Sequence, residues 1–414
     1  MKPAEKYRAW KAHRPEKPIF RTILFSMMAV LLAEVILLST GIGLTNVSGR
    51  LNQNAKQIVN MQVRNRVSYV QDLMQDAQNL TDLSEHINNT VLAMQEEGQL
   101  DLAELNTSRE KSDALLTAIA PELVSTLRAK PVSGIFVVLN TVNLYNLDVG
   151  CGLPGIYLRD LDPDARPSER NNDLLLERAS ATVVKELAIG TDKGWQPAFP
   201  YQANTKGGIL RTVFQTAYKS DAGLSAESYG RWTTNSYCLA GDDRNAIAYS
   251  LPLILPDGTV YGVVGVELLT DYLQTKLPFT ELDEDKAGTY FIVTTTDDAL
   301  TDDVLSLRKT VTSGEDLVTA DAPLGVLNCR SNGTGGNWVE LNDKRYYMVL
   351  EPLQVYNRNA PFAAEKWFLA GTMEQSVLLA FSSRVREVLL TTIAITLVLS
   401  VLGSLLVSAR LARP

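Results

Sequence analysis

The chain has 414 residues, a net charge of −8, three cysteines and two histidines. Because His13 and His86 are the only histidines, the sequence nearly excludes a histidine-based metal or catalytic centre. The acidic balance argues against nucleic acid or another polyanion as a partner. We therefore look for binding chemistry rather than catalysis.

Two apolar runs, at residues 23–44 and 388–407, lie near the two ends of the chain. A run of about 20 apolar residues is long enough to cross a bilayer as one helix. Seven basic residues and two acidic residues precede the first run, and Arg410 and Arg413 follow the second. Since short basic flanks stay in the cytoplasm, we expect a two-pass protein of the cell membrane with both termini inside. The residues between the runs are then extracytoplasmic.

Two features of the apolar runs and one of the cysteines allow more than one interpretation. The first run is longer than the core of a cleaved signal peptide, which favours an uncleaved anchor helix. Glu34 within it either marks a helix contact in a receptor dimer or is a carboxylate that the apolar run tolerates. Either Cys151 and Cys238 form a disulfide, or these two and Cys329 are buried or free thiols.

A long helical region, residues 45–130, is expected after the first apolar run. A stripe with alternating steps of three and four predicts a helix packed on one partner face, and it contains Val70, Leu73, Ala77, Leu80, Ile87, Val91 and Met94. This helix should end near Gly98. A second helical piece, residues 102–127, leads to the first strand.

The period then changes to that of strands. Residues 132–140, 155–160 and 231–237 read as strands, 174–187 as a helix, and 246–255 with 260–268 as a hairpin around Pro256, Asp257 and Gly258. A short helix is expected at 269–277, and a second set of strands at 289–294, 337–341, 345–354 and 367–373. From Glu374 the pattern is helical without a breaker into the second apolar run, so a rigid helix can carry a displacement into the bilayer.

The fold class that follows is α+β, with a long N-terminal helix, two tandem α/β modules and two flanking transmembrane helices. This layout, together with the hairpin from Tyr249 to Glu267, resembles the double Cache family of bacterial extracytoplasmic sensor domains. The resemblance implies two PAS-like modules with antiparallel sheets. It gives these segments: a cytoplasmic tail 1–22, transmembrane helix 23–44, helical region 45–130, membrane-distal module 131–277, membrane-proximal module 278–375, connecting helix 376–387, transmembrane helix 388–407, and the start of a HAMP-like linker 408–414.

The resemblance also places a small-molecule pocket in the distal module. The segment Tyr229 to Trp232 resembles the start of the pattern of amino-acid-binding members, and Glu267 stands where that pattern ends in Asp, but Thr233 and Thr234 replace the expected aromatic residue. A guanidinium, aromatic walls and a carboxylate are suitable for a small polar solute. The predicted ligand-binding residues are Tyr229, Arg231, Trp232, Tyr237, Asp243, Tyr249 and Glu267. The alternative is that Trp232 and Tyr249 are core aromatics and that Arg231 pairs with Glu267 or Asp243.

The expected function is that of a sensor, a homodimer that binds a small extracellular ligand. Its signal would pass through the second transmembrane helix to a histidine kinase, a diguanylate cyclase or a chemotaxis signalling domain beyond Pro414. A structural or partner-binding membrane protein without a ligand is the alternative, and an extracytoplasmic enzyme is a weaker one. No catalytic residues and no cofactor are predicted. A calcium loop beginning at Asp160 is set aside because Ala165 stands where such a loop requires glycine.

Overall fold

The computed structural model describes residues 19–45, 47–140, 152–165, 173–199, 212–213, 216–217, 225–282, 288–296, 300–301, 304–314, 326–329, 336–341 and 343–411. Residues 1–18 of the basic tail, Cys151 and residues 412–414 lie outside these ranges. By its internal contacts the chain divides into two compact units. One is Val59–Glu374, and the other joins Met1–Ile58 and Gln375–Pro414.

The described helices are α1 (Ile19–Thr45), α2 (Val47–Gln78), α3 (Thr81–Glu96), α4 (Arg109–Ala129), α5 (Ala181–Leu187), α6 (Thr270–Lys276), α7 (Gln375–Leu378) and α8 (Ala380–Leu411). The described strands are β1 (Gly134–Leu139), β2 (Gly155–Asp160), β3 (Leu174–Arg178), β4 (Thr191–Gln196), β5 (Arg231–Trp232), β6 (Ala246–Ile254), β7 (Val260–Leu269), β8 (Gly288–Thr296), β9 (Leu300–Thr301), β10 (Val304–Gly314), β11 (Val326–Cys329), β12 (Asn337–Leu341), β13 (Lys344–Leu353) and β14 (Glu365–Glu374).

The first sheet has the strand order β4-β3-β2-β1-β7-β6-β5. Its β6–β7 hairpin confirms the sequence prediction, and the turn forms because the Asp257 carboxylate accepts from the Thr259 N–H while Gly258 takes a φ of +87°. The sheet is mixed rather than antiparallel, since β3 and β4 pair in parallel. Helix α5 supplies the crossover connection that a parallel pair requires.

The second sheet has the order β11-β10-β8-β14-β13-β12, with β9 paired to β10, and all its described pairs are antiparallel. Its last strand in the chain, β14, lies between β8 and β13 and is followed in sequence by α7. The architecture is therefore α+β, with helices preceding two sheets, as the sequence predicted.

The predicted apolar stripe is buried, but it belongs to two helices rather than one. Helix α2 ends at Gln78 and α3 begins at Thr81. Asn79, a weak helix former, lies in the break, and the Lys130 ammonium donates to the Asp76 carbonyl at the end of α2, 2.8 Å away. Residues from Val70 to Met94 in the stripe pack within this chain, where each is at most 9% exposed.

The helix predicted at 174–187 is wrong in its first half. Residues Leu174–Arg178 form β3, and the helix begins only after Ser180, whose hydroxyl accepts from the Val183 N–H and caps α5. The sheet overrides local propensity because Leu176 is fully buried when the segment is extended beside β2. The predicted strand 231–237 is likewise shorter, since only Arg231–Trp232 is a strand and Tyr237 forms a single bridge to Ala246.

In the unit made of the two chain ends, α1 packs against α8. Their contact surrounds a cavity of about 120 Å³ lined by Met28, Leu31, Leu32, Val35, Ile36, Leu397, Ser400 and Val401. Glu34 is exposed on α1. Within the described residues, one helical stretch, Ala380–Val407, is long and apolar enough to cross a membrane by length and composition.

Candidate functional site

One face of the first sheet carries an apolar, aromatic surface. Because directly paired residues share a face, Phe136 of β1, Tyr157 of β2 and Gly265 of β7 lie side by side. The Phe136 and Tyr157 rings stack with centroids 5.0 Å apart, and Phe199 stacks on Tyr157 at 6.0 Å. The cluster also contains Val138, Val213, Ala217, Tyr229, Ala248, Val260 and Val263. This face is therefore covered by side chains from outside the strands.

The aromatic surface ends at a buried carboxylate, Glu267 of β7. Its Oε1 is 2.7 Å from Nε of Arg159, and its Oε2 is 2.9 Å from Nη2 of the same guanidinium. The Tyr157 hydroxyl donates to Oε2, and the Tyr237 hydroxyl lies 3.4 Å from it. The two tyrosine hydroxyls are 3.0 Å apart. A carboxylate, a guanidinium and two phenols thus meet at one place.

Gly134 makes this contact geometrically possible. On β1 it is paired with Arg159 of β2 on one side and with Glu267 of β7 on the other. A Cβ at this position would lie 3.1 Å from Oε1 of Glu267 and 3.1 Å from the Leu158 carbonyl oxygen. The absent side chain therefore lets Arg159 reach across the central strand.

Arg159 is also the centre of a larger ion network. Its Nη1 is 2.7 Å from Glu177 of β3 and is hydrogen-bonded to Asp242 in the loop before β6. Arg244 bonds to Asp242 at 2.8 Å and to Glu177 at 3.1 Å, and it also contacts Asp192 of β4. These contacts join four strands and one loop.

Burial and charge shift the acid–base properties of the cluster. Burial, and next the Glu267 carboxylate, hold the pKa of Tyr157 well above its usual value, so its hydroxyl keeps its proton. Burial and Glu267 likewise raise the pKa of Tyr237. Burial alone would raise the pKa of Asp242, but hydrogen bonds from Arg244 and Arg159 outweigh it and lower the pKa to about 2. At neutral pH the site therefore presents phenol donors and an ionised Asp242.

The structure divides the residues that the sequence predicted for the site. Tyr237 and Glu267 belong to the polar cluster, and Tyr229 belongs to the apolar surface beside it. Asp243 lies apart, with its side chain 79% exposed and bonded to Lys193 at 2.9 Å. Its neighbour Asp242 is the residue in the network.

The three other predicted residues lie where the first sheet meets the second. Arg231 pairs with Glu365 of β14, and neither Glu267 nor Asp243 is its partner. Trp232 and Tyr249 are paired across β5 and β6 on the opposite face from Glu267, with ring centroids 5.5 Å apart. Trp232 also makes an edge contact with Trp367 at 6.5 Å.

Sequence reasoning missed Arg159, Tyr157, Glu177, Asp242 and Arg244. The available signal was Arg159 itself, a charge inside a short apolar strand, because a fully buried arginine must have partners. Its partners could not be chosen, since Glu267 is 108 positions away in sequence. In the described residues, no group of three or more His, Cys, Asp or Glu is arranged to hold a metal ion.

No family model matches the sequence, and no curated protein matches it. Among solved structures, the chain is similar to the periplasmic sensory domain of the Campylobacter jejuni chemoreceptor Tlp1, with 13% identity, a TM-score of 0.44, and coverage of 79% of this chain and 98% of that one. It is also similar to the extracellular domain of the putative histidine kinase soHK1S-Z6, with 15% identity, a TM-score of 0.41, and coverage of 82% and 99%.

A third similar structure is the ligand-binding domain of Mlp24 with asparagine, at 14% identity, a TM-score of 0.40, and coverage of 80% of this chain and 99% of that one. At these identities the neighbours assign neither a ligand nor an output to this chain. They are of the kind that the double Cache resemblance led us to expect. The chain is similar in structure to the extracytoplasmic sensor domains of chemoreceptors and histidine kinases.

Proposed function

We propose that this chain is the sensor portion of a transmembrane receptor that binds a small polar solute outside the cell. The observation that carries the proposal is the buried polar end of an aromatic face, where Tyr157, Tyr237 and Glu267 meet. Aromatic rings supply flat apolar walls, and convergent hydroxyl and carboxylate groups orient a polar head, as in small-molecule sites.

The proposed ligand site contains fewer residues than the site predicted from the sequence. Arg159 already bonds to three carboxylates, so its guanidinium is occupied by the protein's own groups. Tyr237 is the least buried of the three residues at the polar end of the aromatic face, because it is half-buried while Tyr157 and Glu267 are buried. A solute would therefore contact Tyr237 first.

The membrane topology that we propose is that of a receptor. We propose that residues 23–44 and 388–407 both cross the membrane, with the termini in the cytoplasm and the two sheets outside, in a homodimer. Binding changes such a receptor only through different affinities for its two conformations, and the change would pass through the second membrane helix to a cytoplasmic output. No catalytic role is proposed for these residues.

A second candidate function is a membrane-anchored structural or partner-binding protein without a solute. It is favoured by the filling of the aromatic face by Phe136, Tyr157 and Phe199, which stack on one another. It is also favoured by the complete pairing of Glu267 with donors from the protein.

A thermal-shift screen of the full chain in lipid nanodiscs distinguishes the two. Amino acids, organic acids, amines, purines and sugars are each tested on the wild type, on Tyr237→Phe and on Asp243→Asn. We expect at least one solute to raise the melting temperature of the wild type and of Asp243→Asn, with a much smaller rise in Tyr237→Phe because its hydroxyl is gone. Arg231→Ala then tests whether the segment from Tyr229 to Trp232, which the sequence predicted to bind the ligand, also contributes to solute binding.

Equal shifts in wild type and Tyr237→Phe would contradict the site assignment. No stabilisation by any of these solute classes would favour the second candidate.

A further inference from the structure

The ion network beside the aromatic face contains more carboxylates than guanidiniums. Arg159 and Arg244 together contact four carboxylates, namely Glu177, Asp192, Asp242 and Glu267. A third guanidinium, that of Arg178, donates its hydrogen bonds to the backbone carbonyl oxygens of Glu177, Gly194 and Ala240. Even with Arg178 included, three positive charges face four negative ones.

This imbalance is enclosed in protein. The side chains of Arg159, Glu177, Asp242 and Glu267 are fully buried, and Asp192 is 12% exposed. An uncompensated charge is costly in such surroundings, and a carboxylate relieves the cost by taking up a proton. The geometry then decides which carboxylate holds it.

Two of the four carboxylates are well supplied with donors. Glu267 accepts from Arg159 through both oxygens and from Tyr157. Asp242 accepts from Arg159, from Arg244 and from the backbone N–H groups of Asp243 and Arg244. A proton on either would displace existing donors.

Glu177 is different. Its Oε1 accepts from both Arg159 and Arg244, but its Oε2 is buried and receives no hydrogen bond from any described residue. Asp192 lies beside it, since both carboxylates bond to the Arg244 guanidinium, and its charge raises the pKa of Glu177. The orphaned oxygen of Glu177 is thus the place where a proton completes the network.

We propose that Glu177 of β3, with Asp192 of β4 as the acceptor of its hydrogen bond, is a proton-binding site of the first sheet. This site does not depend on the proposed solute. Burial, and further the charge of Asp192, raise the pKa of Glu177 to about 7 against the lowering effects of Arg159 and Arg244. The proton therefore comes off near neutral pH, which places the site within the range of external pH.

The groups that face Glu177 come from every element around it. They are Arg159 from β2, Arg178 from β3, Asp192 from β4, and Asp242 and Arg244 from the loop before β6. Glu267 of β7 is joined to them through Arg159, and Tyr157 of β2 through Glu267. Lys193 is held outward by Asp243. Loss of the proton leaves two adjacent carboxylates on β3 and β4, and β4 is the edge strand. Their repulsion acts on that edge and on the Arg244 loop that bonds to both.

Infrared difference spectroscopy of the full chain in nanodiscs between about pH 5 and about pH 9 tests the proposal, since a buried protonated carboxyl has its own carbonyl stretch. We expect the Glu177 carboxyl to give a component that titrates with a midpoint of about 7 in the wild type, apart from the component of the buried Asp160 carboxyl, whose pKa is about 6. Glu177→Gln, which keeps a donor toward Asp192, should lose the Glu177 component. Asp243→Asn, a surface carboxylate in the adjoining loop, should keep it unchanged.

Asp192→Asn provides a second, independent arm that does not need the Glu177 variant to fold. Removal of its charge should lower the midpoint of the Glu177 band by about one pH unit or more. The proposal is overturned if the component with the midpoint of about 7 persists in Glu177→Gln. It is equally overturned if Asp192→Asn leaves the midpoint unchanged.

Discussion

Arg231 at the edge of the first sheet and Glu365 at the start of β14 form a two-pronged ion pair. Nε of Arg231 lies 3.0 Å from Oε1 and 3.3 Å from Oε2 of Glu365, and each side chain is 15% exposed. The backbone N–H of the next residue, Trp232, donates to the Tyr356 hydroxyl at 2.9 Å. The segment that the sequence assigned to ligand binding therefore connects the two sheets.

Replacing Arg231 with Ala should lower the free energy of unfolding by about 1–3 kcal/mol, because Glu365 then remains mostly buried without its partner. Urea unfolding of the full chain measures the change. Arg64→Ala is the matched control, since Arg64 pairs with Glu351 but is 72% exposed, and we expect no measurable change there. Equal effects of the two variants would contradict a special role for the Arg231–Glu365 pair.

Replacing Tyr356 with Phe tests the neighbouring contact. The change removes the acceptor of the Trp232 N–H, which lies in a residue with no exposed surface. An unsatisfied buried N–H costs about 1–2 kcal/mol, so the melting temperature should fall measurably. Tyr69→Phe, at a hydroxyl on a side chain that is 44% exposed, is the control and should leave it unchanged.

The features that could be predicted from the sequence were those set by residues close together in the chain. The hairpin followed from the turn residues Asp257 and Gly258, which act on their immediate neighbours. The Arg159–Glu267 contact depends on β7 lying next to β1, an order that no local pattern contains. The strand Leu174–Arg178 was predicted as part of a helix, and its Glu177 and Arg178 are buried among partners that come from distant parts of the chain. Buried charged residues that pair with one another interrupt the apolar pattern from which a buried strand is predicted.

Adding a methyl group at Gly134 should disturb the polar cluster. The new Cβ would lie 3.1 Å from the Leu158 carbonyl oxygen, which belongs to the backbone and moves little, and 3.1 Å from Oε1 of Glu267. We expect Gly134→Ala to destabilise the protein by about 1–3 kcal/mol in urea unfolding. Gly190→Ala is the control, because its nearest atom within reach is Cδ2 of Leu175 at 3.7 Å. If Gly134→Ala is as stable as Gly190→Ala, the central strand does not control the approach of Arg159 to Glu267.

The raised pKa of Asp160, at the end of β2, leads us to expect that the stability of the protein depends on pH. Burial, and next the charge of Asp173, raise its pKa from 3.8 to about 6. Between these values the unfolded chain has lost the proton while the folded chain still holds it, so this residue's contribution to stability falls as the pH rises from about 4 to about 6. The reduction is complete above that window and absent below it.

Asp160→Asn removes the titration and keeps an oxygen for the Asp162 N–H, which lies 3.0 Å from the Asp160 carboxylate. Compared with the wild type, the variant should gain about 1–3 kcal/mol above pH of about 6 and nothing below pH of about 4. Asp162→Asn, at an exposed side chain two residues on, removes one of the charges that raise the Asp160 pKa, so it should move the window to lower pH without abolishing it. Chemical denaturation at a series of pH values measures all three curves. A constant difference in stability between Asp160→Asn and the wild type across the window would contradict the prediction. It would show that the pKa of Asp160 has its ordinary value in the folded protein.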